Sequence, residues 1–468
     1  MLTATSILVK GNPHKSTIDP PPPPRADGAG DVALRYESPL WLTIATGDPN
    51  HNEIRTPVID MTMIEGLGSG GQERENATHS LQAVMAEIDR DTDVLHITGD
   101  VPTNDQWETL GQHFTKVRFL KIATGWDEHW IDAKFPLNWP LELLIIADAI
   151  SERITTPAIL EGRIKHFVIL FACGLRFEGP SVKDLLKDAE PFGILPRPKK
   201  PDAESHAERG TPKEADAANQ PVEEPGLPDG IKLYSVPKEW NQWLCNKYGG
   251  NAIVFPGDHD NNPPSAMKTL DILGNDALQM LTYIALAKYH LLVSLENLTI
   301  YSSDTDLSIV PTMFAQFVPG LLRLKDFKMT LTGDAYARVL KETGEPFLHA
   351  ILPPGLETLR LRGPVSAASH IDELVAAFAD PEFLPNLKRI SLLFDMPDKK
   401  SEHPKEASLE QLRAAHEACK KVLDVAAARG TVVEAFEEPW VENYPQLFRE
   451  VDNRWPVLDS IASRNYDG

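Results

Sequence analysis

The chain has 468 residues, 42% of them hydrophobic, which is enough material for more than one domain of ordinary size. It carries 46 basic and 68 acidic residues, for a formal net charge of −22. This excess of acid argues against a general nucleic-acid binder and against adhesion to an anionic membrane, since both need a basic surface. The three well-separated cysteines form no C-x-x-C pair, so we expect a reducing compartment, cytoplasmic or nuclear.

Composition divides the chain into four parts. Residues 1–32 contain a polyproline run and are predicted to be a disordered N-terminus. Residues 196–229 are rich in proline and charge and have few large apolar side chains, so we predict a disordered insertion outside any packed core. The ordered parts are then residues 33–195 and 230–468.

A triplet of apolar residues in the pattern L-x-x-L-x-L recurs along both ordered parts. The stretch LPPGLETLRLRGP (352–364) is one copy, with Leu356, Leu359 and Leu361 in the apolar places. A looser first copy is TDVLHI (92–97). The other copies are Val117/Leu120/Ile122, Leu141/Leu144/Ile146, Ile164/Phe167/Ile169, Ile231/Tyr234/Val236, Leu295/Leu298/Ile300, Leu324/Phe327/Met329 and Leu387/Ile390/Leu392.

The spacing of these copies indicates a repeat. Copies starting at 92, 117, 141 and 164 lie 25, 24 and 23 residues apart, and those at 295, 324, 356 and 387 lie 29, 32 and 31 apart. Leucine-rich repeats have periods of about 20–29 residues. The alternative is a set of unrelated buried strands in an ordinary α/β sheet. We favour an α/β solenoid of degenerate leucine-rich repeats, with a curved parallel sheet and helices on its outer face.

Helical patterns fall between the strands, in NDQWETLGQHF, VKDLLKD, SHIDELVAAFAD and SLEQLRAAHEACKKVLDVAAARG. In the last, apolar residues from Leu409 to Ala426 recur at three- and four-residue steps and predict a single buried face. Gly430 is predicted to end this helix, and TVVEAF to form a closing strand.

Several segments resemble fungal leucine-rich-repeat proteins of an F-box-like group. They include GDVPTNDQWETLGQHF, ILEGRIKHFVILFACGLRFEGP, LETLRLRGPVS and FREVDNRW. The resemblance implies the solenoid fold and carries no activity or site residues. The L-P-x-E-like stretch that opens an F-box is missing before the first repeat, which argues against recruitment to a ubiquitin ligase.

Two short motifs have chemical alternatives that we disfavour. EGLGSGGQ (65–72) satisfies G-x-G-x-x-G, but a half-apolar stretch precedes it and a polar one follows, so we predict a loop rather than a dinucleotide site. GDHDNNPP (257–264) begins like an EF-hand, but Pro263 stands where that loop needs glycine. We predict no cofactor and no metal.

Other singled-out residues have structural interpretations. His166 lies in an apolar run and is predicted to be a hydrogen-bonded packing residue rather than a base. Glu437 and Glu438 are predicted to be solvated. The aromatic face of EWNQWLCNKY (239–248) fits a core-facing helix better than a partner-binding one.

Residues between the template positions face the other side of each strand. In the early copies they are apolar, and we predict that residues 33–90 or loops cover them, with a partner as the alternative. In the later copies they are polar or basic. The predicted partner-binding residues are Tyr301, Lys328, Arg360, Arg362 and Arg389. The alternative is an ordinary solvated strand face.

These patterns predict a non-catalytic scaffold that binds a protein partner, with an acidic partner favoured by the basic residues. The sequence leaves two other functions open. One is a substrate receptor of a ubiquitin ligase, and the other is an enzyme whose site is assembled in the concave groove. It does not indicate an oligomeric state.

Overall fold

A computed structural model describes residues 32–67, 74, 77–124, 136, 138–147, 164–170, 265–274, parts of 277–302, 318–343, 348–398 and 407–444. The predicted disordered insertion 196–229 lies outside these ranges, as do residues 1–31 of the predicted disordered N-terminus 1–32, the acidic loop at 257–264 and the aromatic segment 239–248. In the glycine-rich loop, residues 65–67 are described and residues 68–72 are not.

Twelve strands in the described part of the chain form one sheet, in the order in which they occur in the sequence. The first pair is antiparallel, and every later pair is parallel. The strands are β1 (Leu34–Glu37), β2 (Thr56–Asp60), β3 (Val94–Gly99), β4 (Phe119–Thr124), β5 (Leu143–Ala147), β6 (His166–Leu170), β7 (Thr269–Gly274), β8 (Asn297–Ser302), β9 (Asp326–Leu331), β10 (Thr358–Pro364), β11 (Arg389–Met396) and β12 (Val432–Val433).

The template residues form one continuous core along this sheet. Leu359 and Leu361 of β10 are buried, and they lie opposite Phe327 and Met329 of β9 in the parallel register. The equivalent residues of β3 to β8 belong to the same apolar cluster. We call this side the helix face, because side chains of the long helices also join the cluster. The predicted strands β3 to β6 and β8 to β11 are confirmed.

Seven α-helices are described: α1 (Leu40–Thr46), α2 (Leu81–Ala86), α3 (Asn104–His113), α4 (Gly333–Thr343), α5 (Ile371–Ala379), α6 (Leu409–Ala428) and α7 (Pro439–Asn443). Short 3-10 helices occupy Pro49–Glu53, Met61–Met63, Val318–Gly320 and Val365–His370.

The predictions for α3, α5 and α6 are confirmed. In α6 the residues from Ala415 to Ala426 are buried at the expected steps, and Gly430 follows the helix with φ 88°, a value that glycine adopts freely. Leu409 is different. It stands at the first position of the helix with 64% of its surface exposed, so the apolar face begins one turn later than predicted.

Two parts of the strand prediction need correction. The sheet starts earlier than TDVLHI, because β1 and β2 precede β3. Strand β7 was missed, although Met267, Leu270 and Ile272 fit the same template and are buried. Strand β6 pairs directly with β7, so no strand stands between them in the sheet. The predicted copy at residues 231–236 lies outside the described residues.

The second position of each template carries a charged residue. These residues form a ladder of charges at the N-terminal ends of the strands. Arg118 and Lys165 both bond Glu142, at 2.9 and 3.1 Å. Glu296 contacts Lys268 and Lys325 in the same way, at 3.1 and 2.9 Å. The cations lower the pKa of each of these glutamates.

The sign of this ladder alternates along the stack with one exception. From β3 to β11 the charged residues are Asp93, Arg118, Glu142, Lys165, Lys268, Glu296, Lys325, Glu357 and Lys388. The two lysines in succession belong to β6 and β7, the strands on either side of the long segment 171–264. Ion pairs of this ladder link the neighbouring strands from β3 to β6, from β7 to β9 and from β10 to β11.

Candidate functional site

The face opposite the helix face has an apolar part and a polar part. Its apolar part is a second buried cluster formed by residues of β3 to β7, including Phe119, Leu143, Ile145, Val168 and Leu170. Trp41 and Leu42 of α1 belong to the same cluster. The prediction that the N-terminal segment covers these strands is thus confirmed for α1.

The polar part lies on β8 to β11 and contains the predicted partner-binding residues. Arg360 stands directly opposite Lys328, and Arg389 stands opposite Thr358 of the same face. Arg362 and Tyr301 both align with Thr330 of β9, which lies between their strands. The predicted residues are therefore neighbours on one face, as strand alternation requires.

The three arginines are not a free basic surface, because side chains of the same sheet bind them. Arg360 Nη1 donates to both carboxylate oxygens of Asp326, at 2.8 and 2.9 Å. Arg362 donates from Nε and Nη2 to the two oxygens of Asp395, at 2.8 and 2.9 Å. Arg389 donates to Thr358 Oγ1 at 3.1 Å.

The segment of the chain that follows β12 supplies further partners. We call residues 434–444 the C-terminal strap, and the sheet face beneath it the strap face. Glu434 lies 3.8 Å from Arg360 and 3.9 Å from Arg389. Glu438 accepts hydrogen bonds from Arg362 Nη1 and from Thr330 Oγ1.

Lys328 contacts the strap twice. Its ammonium donates to the main-chain oxygen of Glu437 and lies 5.2 Å from the centre of the Phe436 ring. Glu438 is buried, with 6% of its surface exposed. The prediction that Glu437 and Glu438 are both solvated is therefore wrong for Glu438, since its carboxylate enters the polar part of the face.

The far end of the strap reaches the apolar part of the face. Trp440 is buried in the second cluster, and Val441 and Tyr444 pack against it. The rings of Trp440 and Tyr444 stack with their centres 5.9 Å apart, and Lys121 of β4 lies 5.8 Å from the centre of the Tyr444 ring. The strap thus spans the face from β11 to β4.

Burial and charge set the protonation of this site. Burial lowers the pKa of the Lys328 ammonium, while the carboxylate of Glu438 acts in the opposite direction. Burial also disfavours the charged Arg362, but the hydrogen bond and charge of Asp395, together with the charge of Glu438, raise its pKa overall. Burial raises the pKa of Tyr444 to about 12, with the charge of Glu37 adding to the effect.

A buried hydrogen-bonded group lies where α1 meets the sheet. His96 Nδ1 is 2.7 Å from Glu37 Oε1, and Trp41 Nε1 donates to the same oxygen at 3.3 Å. His96 has 4% of its surface exposed, and burial lowers its pKa. A neutral imidazole with the proton on Nδ1 fits these contacts. The group holds α1 and β1 against β3.

His166 was predicted to be hydrogen-bonded, and its Nε2 lies 2.8 Å from Asp271 Oδ2 of β7. This contact crosses the junction between β6 and β7. Sequence analysis gave no signal for it, since the two residues are 105 positions apart.

Sequence analysis also missed the carboxylates that define the site, Asp326, Asp395 and Glu438. The first two occupy strand positions on the same face as the arginines, so alternation alone would have placed them there. No local pattern connects Glu438 to Arg362, because 76 residues separate them.

No protein-family model matches the chain, and no significant match is found among curated proteins or solved structures. The fold and the site by themselves define the class of protein. It is an α/β protein with a mostly parallel sheet whose strands follow chain order, and a segment of the same chain binds the sheet face opposite the helix face. No helix in the described ranges is long and apolar enough to cross a membrane.

Proposed function

We propose that the chain is a non-catalytic scaffold of the leucine-rich-repeat type that binds a protein partner on the strap face. Three features support the repeat assignment. The template leucines stand in one register, the strands follow chain order, and a charge occupies the second template position from β3 to β11. The resemblance to fungal leucine-rich-repeat proteins agrees with them.

One observation carries the functional proposal: the strap face already binds a peptide segment of the chain, an irregular stretch followed by the short helix α7. Its polar part meets two strap carboxylates and a main-chain oxygen, and its apolar part receives two aromatic rings. Peptide-binding surfaces combine charged groups, which orient the peptide, with an apolar surface, which provides affinity.

The test compares two charge reversals in the full chain. Arg389→Glu changes the strap face, where the Arg389 side chain is 49% exposed. Lys420→Glu is the matched control on α6, where the lysine is 60% exposed. Exposed charges contribute little to stability, so both variants should fold, and circular dichroism checks this.

Affinity purification with each variant gives the result. We expect at least one protein that is recovered with the wild type and with Lys420→Glu to be lost with Arg389→Glu, and to bind the purified wild-type chain directly. Recovery of the same proteins at the same yield with both variants would contradict a partner site on this face.

A further inference from the structure

The C-terminal strap has two kinds of attachment to the strap face, and they lie at different places along it. Near β9 to β11 the contacts are charged, with Glu438 on Arg362 and Thr330 and with Glu434 near Arg360. Near β4 to β7 the contacts are apolar, through Trp440 and its neighbours. The strap therefore binds as a peptide with a carboxylate followed two residues later by a large aromatic side chain.

The backbone of the strap is only loosely joined to the sheet. Val432 and Glu434 donate main-chain hydrogen bonds to Lys388 and Ile390, at 2.8 and 2.9 Å. Beyond Glu434, the main-chain bonds described for the strap are local, such as Tyr444 to Trp440 at 2.9 Å. Side chains, rather than a β-ladder, thus hold residues 435–444 in place.

The two arginines that bind the strap carboxylates each have a second partner within the sheet, whereas the described contacts of Lys328 are with the strap. Arg362 retains its two-point contact with Asp395, and Arg360 retains Asp326. An unpaired buried charge costs several kcal/mol, so these second partners make release of the strap far less costly than the loss of an isolated ion pair.

We infer that the strap is a resident occupant of the strap face, and that the protein partner binds there by displacing it with an acidic segment of the same chemistry. This inference rests on the proposed function. The displacing segment presents a carboxylate to Arg362 and, two residues later, an aromatic ring to the apolar cluster. A chain with net charge −22 repels acidic ligands at long range, so these local cations and the aromatic contact must supply the recognition.

Tethering makes the strap a strong competitor. A segment joined by a short linker acts at an effective concentration in the millimolar range. An identical segment on another molecule therefore binds the wild-type chain much more weakly than it binds a chain whose strap is weakened. This difference in affinity is the signature of displacement, because a surface beside the strap would not produce it.

The test uses a fluorescent peptide with the sequence of residues 432–444, VVEAFEEPWVENY, and the full chain. The strap-release variant combines Glu438→Gln with Trp440→Ala, changing the two anchors and leaving the sheet residues intact. We expect the peptide to bind this variant at least tenfold more tightly than the wild type. Arg362→Gln added to the variant should remove most of that binding, as should glutamine in the peptide at the position of Glu438.

Equal affinity for the wild type and the strap-release variant would overturn the inference, and so would the absence of binding to a folded variant. A wild-type chain that sedimentation shows to be a dimer, linked by exchange of straps, would also overturn it, since the occupant would then be a second copy.

Hydrogen exchange of the wild-type chain provides a test that needs no variant. Saturating peptide should increase exchange in residues 435–444 of the chain and leave α6 unchanged. Protection of the strap that is insensitive to bound peptide would count against displacement. The Arg389→Glu comparison tests the proposed function separately, because a partner lost with that variant shows a site on the face even where the peptide fails.

Discussion

At the scale of single residues, neighbouring positions of one strand have opposite surroundings. Leu359 of β10 is completely buried in the apolar cluster of the helix face. Arg360, the next residue, turns to the strap face and binds Asp326. The alternation of a strand therefore separates the residues that hold the stack together from those that can contact another chain.

Leu359→Ala should lower the free energy of unfolding by about 2–5 kcal/mol, since it removes buried methyl groups and leaves a cavity. Leu322→Ala is the control, because 61% of the Leu322 surface is exposed. Urea denaturation of the full chain measures both. A Leu359→Ala curve that overlays the wild-type curve would place this leucine outside any core.

The Glu37–His96 pair should make the protein acid-sensitive. Burial lowers the pKa of His96 in the folded state, and the positive charges of Lys121 and Arg35 act in the same direction, while Glu37 opposes them. The unfolded chain therefore takes up the proton first. The contribution of His96 to the free energy of unfolding is therefore fully present above the ordinary histidine pKa of about 6.5 and declines as the pH falls below it.

His96→Gln should reduce this decline between about pH 7 and pH 5, by at most about 1.4 kcal/mol per pH unit. The folded-state pKa of Glu37 is also lowered, so its own contribution is lost only at more acidic pH, below about 4.5. Urea midpoints at several pH values measure the effect. His416→Gln, on the exposed side of α6, should keep the wild-type slope. An unchanged slope in His96→Gln would show that another group is responsible.

The sequence predicted the positions of individual residues correctly where local strand geometry determines them. Strand alternation placed Lys328 and Arg360 side by side. The same reasoning did not find their partners on the strap, because the contact between Glu438 and Arg362 depends on where the chain returns after β12. Arg360 and Arg362 are partly buried ion-pair residues, and reversing both charges should therefore disturb folding.

At the scale of elements, two helices begin with the same capping arrangement. Thr103 and Gln106 at α3, and Ser408 and Gln411 at α6, exchange side-chain and main-chain hydrogen bonds. The arrangement satisfies main-chain N–H groups that the first turn leaves unpaired. It also explains why α3 and α6 begin within one residue of their predicted starts.

Ser408→Ala should lower the free energy of unfolding by about 1 kcal/mol, through loss of the cap on the longest described helix. Ser408→Asp should retain most of the stability, since aspartate accepts the same hydrogen bond and its charge favours the helix N-terminus. Thermal unfolding of the three proteins provides the comparison. Equal loss in both variants would mean that the side chain matters for a reason other than capping.

The missed strand β7 shows where element prediction loses its signal. Its template residues Met267, Leu270 and Ile272 are apolar, but Asp271 stands between Leu270 and Ile272, opposite the apolar Val168 of β6. That aspartate is tolerated because His166 of β6 bonds it. A buried polar residue whose partner is distant in the sequence resembles a loop residue when its own strand is read alone.

At the scale of the whole molecule, sequential strand order makes the stack nearly one-dimensional, since each strand contacts only its neighbours. The charge ladder adds contacts of the same short range, and its alternation fails between Lys165 and Lys268. At the junction of β6 with β7 two like charges of the ladder are neighbours, and the polar contact there is the pair of His166 and Asp271. This alternation was present in the sequence, at the second template position of each copy.

The strap is the element that bridges this junction, because Trp440 packs in a cluster that includes Leu170 of β6 and Leu273 of β7. Its charged end lies on β9 and β10. Long-range contacts of this kind make the unfolding of a repeat stack more cooperative than contacts between neighbours alone. The full chain with the strap in place should unfold as one unit.

Glu438→Gln combined with Trp440→Ala should separate the two halves. In a urea series followed by hydrogen exchange and mass spectrometry, peptides from β3 to β5 and from β9 to β11 should open together in the wild type. In the double variant they should open at different urea concentrations, because the β6–β7 pair and the core beneath it are then the links described between the halves. Lys420→Glu provides the control, since it leaves the strap unchanged. If both groups of peptides shift to the same lower midpoint in the double variant, the strap is an ordinary part of one core, and the halves are coupled through the sheet itself.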